Sequence, residues 1–153
     1  MAATAEDALG LTGHWLSRLR QPQDLRAYTL TGLLSQPEWL GWVFKRLTEL
    51  LDLDEGWDSY GGKSINDRTA AFAYQVLSSP MFCVLPRPDV VPTSIGGIQA
   101  GWRSDGRVLE IEFRSGIEMD VYYFDDESPA DEEEFRLSVD LTRLRALLEK
   151  FAT

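Results

Sequence analysis

Residues 98–113 alternate apolar and polar side chains on both sides of the dipeptide Asp105-Gly106. Alternation with a period of two is typical of a strand with one buried face, and Asp-Gly is a strong signal for a two-residue hairpin turn. Strands paired around this turn place apolar residues opposite one another, in the pairs Trp102–Leu109, Ala100–Ile111 and Ile98–Phe113. The sequence therefore predicts a hairpin of fixed register, because a slip of one residue would turn every apolar side chain to the other face.

A third strand follows, and its register depends on the length of the loop that leads into it. A two-residue turn at Ser115-Gly116 would place Glu118 opposite Phe113 on the buried face. A three-residue loop of residues 114–116, with Gly116 left-handed, instead pairs apolar residues with apolar residues. We therefore expect the pairs Phe113–Ile117, Ile111–Met119 and Leu109–Val121.

The same register predicts two rows of carboxylates on the other face of the sheet. Glu112 would lie beside Glu118, and Glu110 would lie beside Asp120. Like charges directly opposite each other destabilise a sheet by a few tenths to about 1 kcal/mol for each pair. A face exposed only to solvent would gain nothing from this destabilisation. We therefore interpret the face as a partner-binding surface. Its predicted residues are Gln99, Arg103, Glu110, Glu112, Glu118, Asp120 and Tyr122.

The negative charge of the chain is concentrated in the same region. The segment Glu110–Glu134 holds eleven acids and one base, a net charge of −10 that equals the net charge of the whole chain. The rest of the sequence is balanced. A chain this acidic is a poor ligand for nucleic acid or anionic membranes, so we expect a protein partner with a basic surface and no direct binding of nucleic acid or membrane.

The sequence predicts one domain over residues 1–153, helical over 1–80, a sheet over 88–139 and a C-terminal helix over 140–151. A weak helical pattern covers residues 5–20, a capping box at Ser35–Glu38 precedes a stronger helix, and Asn66 precedes a third. A last strand is expected over residues 135–139. The predicted fold class is α+β: an antiparallel meander of three to five strands covered on one face by helices.

Several kinds of site and of location are disfavoured by composition. With one cysteine, Cys83, and one histidine, His14, the chain lacks the residues for a disulfide within the chain, a cysteine-based zinc cluster or a typical catalytic triad. The first residues lack a signal peptide, and no segment approaches the roughly 18 apolar residues that span a membrane. We therefore expect a cytoplasmic protein without metal or cofactor.

Three local patterns imitate known sites and each fails on a required position. Gly62-Lys63-Ser64 resembles the end of a phosphate-binding loop, but Trp57 stands where that motif requires glycine. A calcium loop beginning at Asp52 would need glycine at Trp57 and glutamate at Lys63. Asp89 with Glu112-Phe113-Arg114 imitates a metal-dependent nuclease site, with arginine in place of the lysine.

Aromatic residues outside the sheet divide into two groups. Trp57 and Tyr60 are expected to plug the core beneath the loop that follows the second helix, and Cys83 to act as a small core residue. Trp39 and Trp42 lie three residues apart, and together with Phe44 they exceed what one apolar stripe can hide. We therefore predict that at least one of the two tryptophans reaches the surface and anchors a partner.

The motifs W-D-x-Y-G, P-x-V-x-P-T, G-G-I-Q-x-x-W and L-E-I-E follow one another over residues 57–112. In this order the chain resembles a widespread group of small bacterial proteins, and the resemblance covers about residues 50 to 115. Members are often accessories of mobile elements or defence loci, but the resemblance brings no assigned chemistry. Gly101 departs from the pattern, because the group usually has an acid before the tryptophan.

The leading functional hypothesis is a non-enzymatic binding module that docks on a basic partner surface, as an antitoxin, inhibitor or accessory subunit does. A second hypothesis is a divalent-metal-dependent hydrolase that uses the four sheet carboxylates. A third is a structural subunit of a larger assembly, which the surplus of aromatic residues favours. No catalytic residue is assigned, and the sequence leaves the oligomeric state open.

Overall fold

The computed structural model describes residues 36–115, 117–138 and 140–153. The predicted helix over residues 5–20 and His14 lie outside these ranges. The helices are α1 (Leu40–Leu51), α2 (Asp67–Leu77) and α3 (Thr142–Ala152), with short 3-10 turns at Pro80–Val84 and Pro129–Asp131. The strands are β1 (Asp89–Pro92), β2 (Ile98–Ser104), β3 (Arg107–Phe113), β4 (Met119–Asp125) and β5 (Glu133–Leu137).

The five strands form one antiparallel sheet in the order β1-β2-β3-β4-β5. Each strand therefore pairs with its neighbour in sequence, and the predicted α+β meander with a C-terminal helix is confirmed. β5 begins two residues before the predicted strand, a difference within the usual error of boundary prediction. No helix in the described ranges is long and apolar enough to cross a membrane.

One face of the sheet, here called the inner face, packs against all three helices in a single core. Along β2, β3 and β4, buried residues of the inner face alternate with more exposed residues, because successive side chains of a strand point to opposite faces. Phe72 of α2 meets Phe113 of β3 edge to face, with ring centroids 5.7 Å apart. The main helix residues in this core are Val43, Leu47, Leu50, Ala70, Phe72, Ala73, Leu77, Leu144, Leu147 and Leu148.

The starts of α1 and α2 bear on the capping predictions. Asn66 accepts the backbone N–H of Thr69 at 2.8 Å, so the predicted cap of α2 is confirmed. Ser35 of the predicted capping box lies outside the described residues; α1 begins at Leu40, and Trp39 before it makes no side-chain cap hydrogen bond. The carbonyl oxygen of Pro37 accepts the N–H of Leu40 in a turn just before the helix.

The hairpin between β2 and β3 has the predicted register, with Trp102 opposite Leu109 and Ile98 opposite Phe113. Asp105 and Gly106 have φ angles of 49° and 76°, the left-handed pair that a type I′ turn requires. This turn is a strong local signal in the sequence. It sets the alternation that separates the inner face from the opposite one.

The predicted register between β3 and β4 is wrong by two residues. Phe113 lies opposite Met119, and the connection is a five-residue loop in which the N–H of Arg114 donates to the carbonyl of Glu118 at 3.0 Å. A shift of two leaves every side chain on its predicted face but changes its neighbours. Glu112 therefore lies opposite Asp120, and Glu110 lies opposite Tyr122.

β1 and β5 are the edge strands, and α1 contacts the first of them directly. The Nε of Arg46 donates to the carbonyl oxygen of Val90 at 3.0 Å. Arg46 lies on the same helix as Val43 and Leu47, whose side chains are fully buried. One helix therefore both packs on the core and reaches the backbone at the sheet edge.

Candidate functional site

The face of the sheet opposite the core, here called the outer face, keeps its side chains in contact with solvent. Glu110, Glu112, Asp120 and Tyr122 are only partly buried, and Arg136 is exposed. The pairing of the strands arranges these residues in two rows. One row is Val91, Gln99, Glu112, Asp120 and Arg136, and the next is Asp89, Gly101, Glu110, Tyr122 and Glu134.

Asp120 is the most strongly paired carboxylate of the outer face. Arg136 donates to it in a bidentate manner, with Nε 2.7 Å from Oδ1 and Nη2 3.3 Å from Oδ2. Arg114 donates to Oδ2 from its Nη1 at 2.9 Å. The hydrogen bond from Arg136, with the charges of both guanidinium groups, holds the pKa of Asp120 below its usual value. Asp120 is therefore ionised at neutral pH.

Two other predicted acids also have cationic partners. Arg103 Nη2 lies 3.0 Å from Glu110 Oε1, and Arg136 Nη1 lies 3.8 Å from Glu118 Oε2. Glu118 lies at the end of the β3–β4 loop rather than opposite Glu112. The second predicted row of facing carboxylates, Glu110 beside Asp120, is absent as well, because the register has shifted.

Glu112 lies opposite an acid, as the sequence predicts, although that acid is Asp120 and not Glu118. It lies between Gln99 and Asp120 in the row, and within the described ranges it forms no ion pair. Arg114 and Arg136 both bond to Asp120 and together more than balance its negative charge. One Glu112–Asp120 pair beside two arginines therefore replaces the two predicted rows of facing carboxylates.

Tyr122 connects the outer face with the acidic loop before β5. Its hydroxyl is hydrogen-bonded to the side chain of Glu132, and this bond is the main reason why the pKa of Tyr122 is raised. The nearby charges of Glu110 and Glu134 act in the same direction. The tyrosine is thus a neutral hydrogen-bond donor surrounded by carboxylates.

The acidic segment is neutralised more than its sequence indicates. Arg107 lies 3.6 Å from Asp125, Arg143 of α3 lies 3.4 Å from Glu133, and Lys150 of α3 lies 3.9 Å from Asp131. Of its eleven acids, six form ion pairs with described residues, namely Glu110, Glu118, Asp120, Asp125, Asp131 and Glu133. Most of these cations come from outside the segment, so a count along the chain misses them.

Trp39 and Trp42 lie away from the outer face, and both are partly buried. The indole Nε1 of Trp39 donates to the carbonyl of Leu85 at 2.9 Å, and the guanidinium of Arg87 lies 4.3 Å from the ring centre of Trp42. Trp39 lines a groove of about 630 Å³ together with Leu85 and Arg87. The structure therefore separates the two tryptophans from the seven predicted sheet residues.

Two predictions about buried residues are wrong. Tyr60 is 93% exposed instead of plugging the core, and Cys83 is exposed beside the Trp39 groove. Trp57 is partly buried, with its Nε1 donating to the carbonyl of Lys63 at 3.1 Å. Residue type alone suggested burial at these positions, although Tyr60 lies in a loop and Cys83 in a short 3-10 turn.

The geometry of the outer face does not favour metal chemistry. A divalent cation requires several convergent carboxylate oxygens, whereas both oxygens of Asp120 accept hydrogen bonds from arginine. Among the described residues no group of three or more His, Cys, Asp or Glu side chains could hold a metal ion. The nuclease-like pattern that joined Asp89 to Glu112 therefore has no matching arrangement here.

Replacing Glu112 by glutamine is expected to change the free energy of unfolding by less than about 0.5 kcal/mol, because Glu112 has no ion pair among the described residues and two arginines compensate the charge of Asp120 opposite it. The matched change Glu110→Gln loses the exposed pair with Arg103 and should be neutral or destabilising by up to about 0.5 kcal/mol. Urea denaturation at low ionic strength measures both. A larger loss for Glu112→Gln than for Glu110→Gln would contradict the described environment of Glu112.

No protein-family model, curated protein or solved structure gave a significant match to this chain.

Proposed function

We propose that the chain is a non-enzymatic protein-binding module whose outer face docks on a basic surface of a partner protein. The observation that carries this proposal is the arrangement of Glu112 and Asp120. Both carboxylates are held side by side on a solvent-facing sheet, and Glu112 has no cation of its own among the described residues. A partner's arginine or lysine placed over this pair would give Glu112 the cationic partner that it lacks among the described residues.

The existing ion pairs are compatible with such docking. Arg103 and Arg136 are mostly exposed, and exposed ion pairs contribute about 0–1 kcal/mol each. A partner can therefore compete for Glu110 or Glu118 at little cost. Tyr122 and Gln99 add hydrogen-bonding groups between the charges, which would help to fix the orientation of a partner.

The charge of the chain supports the choice of a basic protein partner. The net charge of −10 accelerates the approach of a cationic surface and repels nucleic acid. The resemblance to accessory proteins of mobile elements and defence loci makes an antitoxin, inhibitor or accessory subunit in the cytoplasm the biological form that we propose. Trp39 and Trp42 belong to a separate surface, so their proposed role as anchors would concern a second contact.

The test compares the partner binding of the wild-type protein with that of two variants that lose the same number of acidic charges. The outer-face variant carries Glu110→Gln, Glu112→Gln, Glu118→Gln and Asp120→Asn. A control variant removes the same number of charges from exposed acids outside the sheet, through Glu38→Gln, Glu49→Gln, Asp52→Asn and Glu149→Gln. Proteins captured from a host lysate by wild type and both variants are compared by quantitative mass spectrometry, and binding of the captured partner is then measured by surface plasmon resonance.

We expect the outer-face variant to bind the partner about tenfold or more weakly, mainly through slower association, and the control variant to bind almost as wild type. Association of the wild type should slow with added salt, because the screening length falls from about 10 Å at 0.1 M to about 3 Å at 1 M. A partner that binds both variants equally, with no dependence on salt, would contradict the proposed role of the outer face.

A further inference from the structure

The loop between α1 and α2 is held rigidly by its own hydrogen bonds. Asp58 Oδ1 accepts the backbone N–H groups of Tyr60 at 2.9 Å and Gly62 at 2.7 Å. Glu55 Oε1 accepts both the N–H and the hydroxyl of Ser64, at 3.0 and 2.7 Å. The N–H of Gly56 donates to the carbonyl of Gly62 at 2.7 Å and closes the base of the loop. The backbone at the tip is therefore fixed before any partner arrives.

The same loop contains conformations that only a specific sequence tolerates. Ser59 has a φ of 65°, a left-handed conformation that is uncommon for residues other than glycine. Gly61 has a φ of 85°, and a Cβ on Gly62 would lie 2.7 Å from the carboxyl carbon of Asp58. Strained residues persist where the surrounding structure over-determines them, and they cluster at sites of function.

The loop presents the aromatic ring of Tyr60 to solvent. Tyr60 is 93% exposed, and its side chain forms no hydrogen bond with the described residues. The adjacent β1–β2 turn, tied to the loop by a 2.9 Å hydrogen bond from Lys63 N–H to the Ser94 carbonyl, presents Ile95 at 49% exposure. The ring thus contributes little to the stability of the fold, whereas several hydrogen bonds fix the backbone of the loop that carries it.

The charges around Tyr60 identify the kind of group that it would bind. Residues 53–63 contain three acids, Asp54, Glu55 and Asp58, and one base, Lys63, whose charge acts on Glu55. Hydrogen bonds from Tyr60 and Gly62 lower the pKa of Asp58, and those from Ser64 lower the pKa of Glu55, so both are ionised at neutral pH. An aromatic face close to fixed carboxylates attracts cations, and the planar guanidinium of arginine can stack on such a ring.

We infer that this loop is a recognition element that presents Tyr60 to an arginine-bearing segment of a partner protein. The guanidinium stacks on the ring, with the carboxylates of the loop around it and Ile95 as the neighbouring apolar contact. Aromatic side chains are enriched among the residues that dominate binding energy at interfaces. The inference concerns a separate surface and does not depend on the proposed docking of the outer face.

The probe is a phage-displayed library of random linear peptides, selected on the immobilised wild-type protein. We expect the selected peptides to share an arginine beside an apolar residue. The affinity of synthetic copies should fall about tenfold or more with Tyr60→Ala and remain within about twofold with Tyr60→Phe, which keeps the ring. Val84→Ala, at another exposed apolar position of 58% exposure, is the matched control and should leave affinity unchanged.

A second variant examines the rigidity of the loop without changing Tyr60. Gly62→Ala forces the Asp58 carboxylate away from the backbone and should weaken the same peptides about threefold or more, since a mobile tip must be ordered on binding. Thermal denaturation verifies that every variant is folded. Peptides that bind Tyr60→Ala as tightly as wild type, or a selection that yields no specific peptide, would overturn the inference.

Discussion

Trp102→Ala is expected to lower the free energy of unfolding by about 3–5 kcal/mol, the largest effect of any change considered for this protein. Trp102 is 2% exposed and stacks on Phe82, with ring centroids 5.8 Å apart and an interplanar angle of 18°. Its Nε1 donates to the carbonyl of Pro86 at 2.8 Å. The side chain therefore joins the sheet to the 3-10 turn and to the segment that follows it.

Urea denaturation followed by circular dichroism measures this loss. A domain of this size is stable by only about 5–15 kcal/mol, so the variant should also show a clearly lower Tm. Trp102→Phe keeps an aromatic ring but removes the donor to Pro86, and should cost about 1–2 kcal/mol. Tyr60→Ala removes an aromatic ring that contacts solvent and should change stability by less than about 0.5 kcal/mol. Equal losses for Trp102→Ala and Tyr60→Ala would contradict the described core.

The second large effect is expected at Gly97, where the β1–β2 turn enters β2. A Cβ at this position would lie 2.7 Å from Thr93 Oγ1, 2.9 Å from the carbonyl oxygen of Phe113 and 3.1 Å from Glu112 Oε1. The threonine oxygen also accepts the N–H of Gly97 at 3.0 Å, so moving it breaks a hydrogen bond. The Phe113 oxygen belongs to the sheet backbone and cannot move alone. Gly97→Ala should therefore destabilise the protein by about 1–3 kcal/mol.

Gly41→Ala is the matched control for this substitution. Gly41 lies in α1, and a Cβ there would meet nothing within 4 Å. Gly41 lies in the first turn of α1, where the advantage of alanine over glycine is smaller than the roughly 0.5–1 kcal/mol of a helix interior, so this variant should be stabilised by up to about 0.5 kcal/mol. Denaturant midpoints of the two variants should thus shift in opposite directions. A shift of the Gly97 variant toward higher stability would show that the turn is looser than described.

The part of the fold that the sequence predicts correctly is the part with strong local signals. Asp105-Gly106 sets the β2–β3 register because few other dipeptides adopt its two left-handed conformations. The following loop offers no equivalent signal. Ile117 and Met119 are both apolar, so either could face Phe113 without exposing a hydrophobic side chain, and pattern alone could not choose between them.

The candidate site was predictable in its faces and not in its contacts. Alternation correctly assigns Glu110, Glu112 and Asp120 to the outer face, since a shift of two residues preserves the side on which each lies. Their cationic partners depend on tertiary placement. Arg136 comes from a strand beyond the acidic run, and its bond to Asp120 requires the β4–β5 register. Deriving the register of a fifth strand in the predicted meander could have identified the bond between Arg136 and Asp120.

The exposure of residues outside the sheet and the three α-helices was the least predictable property. Tyr60 and Cys83 have residue types that are common in cores, but the backbone around them determines where they lie. For Tyr60 the decisive contact is the carboxylate of Asp58 on two neighbouring N–H groups. A sequence contains the aspartate and the glycines but does not show that the turn carries the ring outward.

The contact between Arg46 and β1 limits the ways in which another chain can meet this sheet. Backbone groups alternate in direction along a strand, so Pro88, Val90 and Pro92 face away from β2. The two prolines have no N–H to offer, and the carbonyl of Val90 already accepts Arg46. Of these three residues only Val90 has an N–H, so an incoming strand could form few of the hydrogen bonds of a regular ladder here, which disfavours edge-to-edge aggregation through β1. Recognition near β1 must consequently be made by side chains, whose identity a partner can discriminate, and not by backbone pairing, which any extended peptide could supply.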